Sequence, residues 1–185
     1  MLTGDVHIGK TTACSKVAKR LAQSGHSVRG FLTTPVCDGS QNRLGLEILD
    51  LRGGERQQLA RTDCELGGPR VGPYSFDADA LRWGETLAAE ACAAGCDLLV
   101  IDEIGRLELE KGRGFNRILA LLAGPLVPRT LVVVRSELYP TFCCRLPDFV
   151  HTAYSVTTAS REALEDKLVT QWFLGFDCVP GNSRE

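Results

Sequence analysis

The chain has 185 residues, 44% of them hydrophobic, with a formal net charge of -2 and a pI near 6.0. This suffices for one domain, 1–185, whose core can host low-dielectric chemistry. The near-neutral charge gives no broad basic face for DNA or RNA, no apolar run approaches the roughly 20 residues of a membrane span, and no charged-then-apolar leader is present, so the expectation is a cytoplasmic protein acting on small molecules, with no membrane partner and nucleic acid disfavoured.

Met1-Leu2-Thr3 leads into Gly4-Asp5-Val6-His7-Ile8-Gly9-Lys10-Thr11, a glycine loop opening an amphipathic helix from about Lys10 to Ser24 that Gly25 ends. Only three residues precede Gly4, so the strand launching the loop is expected to be short or to draw on residues upstream. Val28 to Val36 reads as a strand, and Leu44 to Leu51 alternates and closes at Arg52-Gly53-Gly54-Glu55, across which Gln57 to Ala60 can pair back as an antiparallel hairpin. Arg61 to Ser75 is rich in glycine and proline and reads as a long surface loop covering a site. A helix is expected over Asp77 to Ala94. It is followed by Leu98-Leu99-Val100-Ile101, continuously apolar as a strand covered on both faces should be, and ending in Asp102-Glu103. Phe115 to Ala123 reads as a helix, Thr130 to Val134 and Phe149 to Val156 as strands, and Ser160 to Phe173 as a last helix with Ser160 as N-cap. Strands alternating with helices predict an α/β fold with a mostly parallel central sheet, helices on both faces and an antiparallel hairpin insert.

The eight cysteines lack the paired knuckles of a structural zinc site, and Cys92 and Cys96, four apart on a helix, are expected to pack as small hydrophobes. The chemistry lies elsewhere. Gly4 and Gly9 frame a loop whose backbone N–H groups, over Asp5, Val6, His7 and Ile8, can turn inward around phosphates at a helix N-terminus. Lys10 suits the β- and γ-phosphates, the Thr11 hydroxyl suits Mg²⁺, and Thr12 reaches the α-phosphate. His7 occupies a loop position whose backbone conformation glycine reaches more easily. Asp102 ends a buried strand where a metal-binding carboxylate belongs, and Glu103 beside it suits deprotonation of an attacking water. These assignments make Lys10 and Glu103 the catalytic candidates and Thr11 and Asp102 the metal ligands.

The loop, Gly30-Phe31-Leu32-Thr33, Val71-Gly72-Pro73-Tyr74 and above all Val100-Ile101-Asp102-Glu103-Ile104-Gly105-Arg106-Leu107-Glu108-Leu109 together resemble the THEP1-type nucleoside-triphosphatase family over nearly the whole chain. The resemblance implies a RecA-like P-loop NTPase, a three-layer α/β/α domain, that hydrolyses ATP, GTP and other nucleoside triphosphates with Mg²⁺, slowly and with broad base tolerance. The chain departs from the family pattern in having Arg106 for Lys, Thr34-Pro35 for an acidic residue, Pro73 for Lys, and Ser160-Arg161-Glu162 for Asn-Arg-Asp. Arg70 is a candidate substitute for the lost Lys. Arg161 is retained as a candidate base-stacking residue, while the missing Asn amide removes a base-reading group. Two alternatives stand beside hydrolysis. One is a kinase of a nucleotide or small metabolite, with Arg61, Arg70 and Arg82 as candidate lid cations. The other is a slow nucleotide-switched accessory protein.

Overall fold

The sequence Leu98-Leu99-Val100-Ile101 is apolar at every position because both of its faces are covered. In the computed structural model, which describes residues 1–124 and 129–174, Leu98 and Val100 pack in one cluster and Leu99 and Ile101 in the other. The same period of two divides Leu131 and Val133 from Val132 and Val134. The first cluster is capped by α1 (Lys10–Gln23) and α6 (Leu164–Val169), the second by α2 (Ala78–Ala94), α4 (Asn116–Ala123) and α5 (Tyr139–Arg145), giving three layers. A single turn, α3 (Arg106–Leu109), follows directly on the strand Leu98–Ile104.

The sheet uses β1 (Leu2–Gly4), β2 (Val28–Cys37), β3 (Arg43–Asp50), β4 (Arg56–Arg61), β5 (Gly67–Val71), β6 (Tyr74–Asp77), β7 (Leu98–Ile104), β8 (Thr130–Arg135) and β9 (Tyr154–Ser155). Their order is β5-β6-β4-β3-β2-β7-β8-β1-β9. Pairing is parallel from β2 through β9 and antiparallel from β2 out to β5. The expected α/β fold is present. Its antiparallel part is larger than the single hairpin expected, because a second hairpin, β5–β6, extends it.

That second hairpin corrects the expectation of an irregular loop over Arg61 to Ser75. The glycines there serve close backbone approach: a Cβ on Gly68 would stand 2.2 Å from the Phe76 carbonyl oxygen. Pro69 is tolerated because β5 lies at the sheet edge, where a missing N–H breaks no ladder. The strand expected over Phe149 to Val156 is only Tyr154–Ser155, which pairs with β1. The last helix begins at Leu164, four residues later than expected, and passes into a wider turn over Thr170–Leu174. Ser160 does not cap it. Its hydroxyl accepts from the Thr157 N–H at 2.9 Å and donates to the Ser155 carbonyl at 3.1 Å, so the side chain closes the preceding turn. By contrast Asp77 does cap α2, accepting from the Asp79 and Ala80 N–H groups at 2.8 and 2.9 Å.

Cys92 and Cys96 pack against the second core cluster, as expected of small hydrophobes. Cys178 lies outside the described residues. No helix among the described residues is long and apolar enough to cross a membrane.

Candidate active site

β1 enters the middle of the parallel strands, hydrogen-bonded to β8 on one side and β9 on the other, so a strand of three residues is held from both edges. The chain leaves it at Gly4, where a Cβ would stand 2.8 Å from the Val156 carbonyl oxygen and 3.0 Å from Ile8 Cγ2. His7 takes φ 64 and Gly9 takes φ 104, so the loop spends left-handed backbone at a residue that resists it, as the sequence led us to expect. The first helical hydrogen bond of α1 runs from the Ala13 N–H to the Gly9 carbonyl at 2.9 Å. This leaves the N–H groups of Lys10, Thr11 and Thr12 without an intrahelical acceptor, at the positive end of the helix dipole.

A cavity of about 240 Å³ lies over these groups, bordered by Val6, His7, Gly9, Lys10, Thr11 and Thr12 from the loop. Thr33, Asp102, Glu103 and Arg135 border it from the neighbouring strands. The loop and the Asp102-Glu103 pair, about 90 residues apart in sequence, therefore meet at one carboxyl edge of the sheet. Gly4 and Asp5 contribute differently. Their carbonyls accept from Lys10 Nζ at 2.8 and 2.6 Å, folding the lysine back over the loop. Burial pulls the Lys10 pKa below its ordinary 10.5, with the charge of Glu103 opposing and that of Arg135 adding to the effect. Ile8 packs inward against the α1–α6 cluster. Arg161 is exposed on the turn before α6, 3.8 Å from where a Gly9 Cβ would stand, and borders neither this cavity nor the larger one described below.

Asp102 has no solvent exposure. Its Oδ2 accepts from the Thr33 N–H at 3.0 Å and the Thr33 hydroxyl at 3.2 Å, whereas its Oδ1, also buried, has no hydrogen-bond partner. Burial pushes its carboxyl up to about 7 and the charge of Glu103 adds to this, against the Thr33 N–H and the hydroxyls of Thr11 and Thr33, which favour the ionised form. A buried carboxylate oxygen with no donor, beside a threonine hydroxyl, is a donor set suited to a small hard cation.

Glu103 follows at φ 78, a strained backbone for a residue with a Cβ, and the β7–β8 register slips between Ile101 and Ile104 at this point. The slip aims Glu103 across to β8, where Arg135 donates to Glu103 Oε1 through Nε at 3.0 Å and Nη2 at 2.5 Å. Sequence reasoning missed Arg135. Its signal is positional: it ends the apolar run Thr130 to Val134, and that strand lies between β7 and β1, in register with Gly4. Thr33 was likewise visible only as part of a motif, with no hint that it holds Asp102.

Glu108 was also missed as a working residue. It is 3% exposed, and its two oxygens accept from the Gly105 N–H and the Phe115 N–H at 2.8 Å each, closing the 105–115 segment into a loop beside the site. Burial raises its pKa and the two N–H groups oppose this. Arg61, Arg70 and Arg82 are paired with Asp63, Glu65 and Asp79. None borders the 240 Å³ cavity.

A family model for NTPase matches residues 1–169. The nucleoside-triphosphatase THEP1 of Methanopyrus kandleri is 34% identical over 179 residues, 93% of this chain and 95% of that protein. The nucleoside-triphosphatase THEP1 of Ignicoccus hospitalis is 34% identical over 166 residues, 89% and 93% of the two chains. Among solved structures, a human cancer-related nucleoside triphosphatase superposes with a TM-score of 0.70 at 27% identity over 97% of each chain. THEP1 from the hyperthermophile Aquifex aeolicus shares the fold, with a TM-score of 0.68 at 20% identity over 93% of this chain and 97% of its own.

Proposed function

The chain belongs to the THEP1 family of nucleoside-triphosphatases and is a nucleoside-triphosphate phosphohydrolase; on that premise we propose that it hydrolyses ATP, GTP and other nucleoside 5'-triphosphates in a Mg²⁺-dependent reaction with broad base tolerance. The observation that carries this reading is the unpartnered, fully buried Asp102 Oδ1 in the cavity that the phosphate loop also lines. Whole-chain action as one domain, 1–185, is part of the proposal. So is a cytoplasmic setting, which suits a chain whose described cysteines are free thiols.

In this mechanism the triphosphate sits over the N–H groups of Lys10, Thr11 and Thr12, and Lys10 swings from the Gly4 and Asp5 carbonyls to the β- and γ-phosphates. The exchange is favourable because two neutral acceptors are replaced by anionic ones. Thr12 lies toward the α-phosphate, and the nucleoside extends past Gly9 toward Arg161, which can stack on any base. Thr11 and Asp102 would hold Mg²⁺, with Thr33 fixing the Asp102 carboxylate; the bound cation would supply Lewis-acid neutralisation of charge on the phosphates. Glu103 takes the proton of the attacking water, and Arg135 holds Glu103 in position and adds a positive charge near the γ-phosphate from within the same chain.

Broad base tolerance is supported by the lack of an Asn-Lys-x-Asp guanine reader and by Ser160, whose hydroxyl is engaged with Thr157 and Ser155. The test is phosphate release from ATP, GTP, CTP and UTP, with Mg²⁺ and with excess chelator. Comparable kcat/KM for all four, abolished by the chelator, is the expected result. A preference on the order of 10⁴ for one base, the range buried polar readout can give, would refute broad tolerance, and undiminished turnover in chelator would refute the metal assignment.

A further inference from the structure

Beyond the tip of the phosphate loop lies a second, larger cavity of about 490 Å³. The two spaces adjoin: Thr33, Arg43, Glu103 and Arg135 border both, together with Val6 and His7 at the loop tip. The outer wall is built by the antiparallel extension and the segment that Glu108 closes, through Leu46, Leu59, Tyr74, Phe76, Leu107 and Phe115. Hydrolysis by itself does not require such a space. Hydrolysis consumes one water, whose share of liquid volume is about 30 Å³, so the cavity offers roughly an order of magnitude more room than the reaction uses. Small-molecule sites, in contrast, span about 300–1,000 Å³ and combine an apolar lining with a few convergent polar groups, which is the composition here.

The nucleoside is not the occupant. A triphosphate on this loop runs from its α-phosphate near Thr12 to its γ-phosphate near Lys10 and Glu103. Gly9, Lys10, Thr11, Thr12 and Arg161 do not border the larger cavity, while Glu103 and Arg135 do. On this placement the larger cavity adjoins the Glu103–Arg135 side of the phosphate site, the side from which an acceptor would reach the γ-phosphate.

We propose that this cavity is an acceptor subsite, taking a small molecule with an aromatic or branched apolar body and a primary hydroxyl, to which the γ-phosphoryl group is transferred. The proposal rests on the nucleotide reading of the phosphate loop given above. The body lies among Tyr74, Phe76 and Phe115, and the hydroxyl reaches Glu103, which the left-handed backbone at φ 78 sets at the junction of the two cavities. Glu103 accepts the hydroxyl proton as the hydroxyl oxygen bonds to the γ-phosphorus. The bond from that phosphorus to the β,γ-bridging oxygen breaks, and the nucleoside diphosphate leaves with the electron pair. Arg43 is half-buried, borders both cavities and makes no ion pair among the described residues, so its charge is available to the phosphoryl group in transit. With no acceptor bound, water takes the place of the hydroxyl and hydrolysis results.

The test incubates the full chain with Mg²⁺ and γ-³²P-labelled ATP plus millimolar uridine, adenosine or 2-phenylethanol, separating labelled phosphate ester from inorganic phosphate. Val71→Trp serves as the comparison because Val71 lines the cavity and the larger side chain narrows it. The expected result is a labelled ester from at least one acceptor, saturable in acceptor concentration, with inorganic phosphate falling by the matching amount. Val71→Trp should cut ester formation about tenfold or more, equivalent to roughly 1.4 kcal/mol in the transfer barrier, while still releasing phosphate from ATP. Hydrolysis with no ester from any of the three acceptors overturns the subsite and leaves the hydrolase reading standing. Equal ester from Val71→Trp also overturns it, by placing the acceptor elsewhere. Loss of hydrolysis and ester together in the unmodified chain overturns both readings.

Discussion

Ionising Asp102 inside the fold is costly, and its effect on folding can be measured without any assay of turnover. In the unfolded chain the carboxyl titrates near 3.8, whereas in the fold it titrates at about 7, burial being the largest cause. Between those values the unfolded state is ionised and the folded state still carries its proton, so the folded state binds more protons and stability falls as pH rises. The contribution is intact below about pH 3.8 and fully lost above about pH 7. At about 1.4 kcal/mol per pH unit of separation, the loss is on the order of 4 kcal/mol. Asp102→Asn keeps the shape and removes the titration. Urea denaturation of both proteins at intervals from pH 4 to pH 8 should give a wild-type midpoint that declines across the window relative to the variant. Adding Mg²⁺ at pH 8 should recover stability in the wild type and not in Asp102→Asn, because a cation at Oδ1 neutralises the buried charge. Parallel pH profiles for the two proteins would refute the burial argument, and equal recovery by Mg²⁺ would refute Asp102 as its ligand.

Lys10→Ala and Glu103→Gln should separate binding from chemistry. By calorimetry the first loses nucleotide affinity, while the second retains Mg²⁺-nucleotide but falls on the order of 10²- to 10⁴-fold in single-turnover phosphate release; a wild-type rate for Glu103→Gln would remove it as the base. Thr33→Val deletes the hydroxyl that bonds Asp102 at 3.2 Å and leaves the backbone bond in place. A hydrogen bond to a charged group contributes roughly 1.5–3 kcal/mol, so Mg²⁺-dependent turnover should drop about ten- to a hundredfold, and an unchanged Mg²⁺ titration would argue against Thr33 as the support of Asp102. Gly114→Ala should destabilise the fold by roughly 2–4 kcal/mol in denaturant titration, since Gly114 has φ 68 and an added Cβ would stand 2.0 Å from Glu108 Oε1. A neutral effect there would show that the 105–115 segment yields without cost.

The sequence by itself determined what depends on near neighbours along the chain. The glycine spacing from Gly4 to Gly9 and the helix after it set the phosphate loop, and the positive φ at His7 follows from putting a non-glycine residue in that turn. The apolar run before Asp102 placed the carboxylate at a strand end, and Asp77 capped its helix through N–H groups two and three residues ahead. Periodicity failed where glycine and proline carried two meanings: Gly68 and Pro69 read as loop residues, yet one permits a close backbone approach and the other sits on a sheet edge. Only the tertiary structure decided which distant groups meet Asp102 and Glu103. Arg135 reaches Glu103 because β8 lies between β7 and β1, Thr33 reaches Asp102 because β2 pairs with β7, and Glu108 closes a loop through an N–H seven residues on. The cavity of about 490 Å³ likewise exists only once the antiparallel strands and the 105–115 segment face each other. Strand order and register set these contacts, and those are products of burying two apolar faces at once, which no local stretch of residues specifies alone.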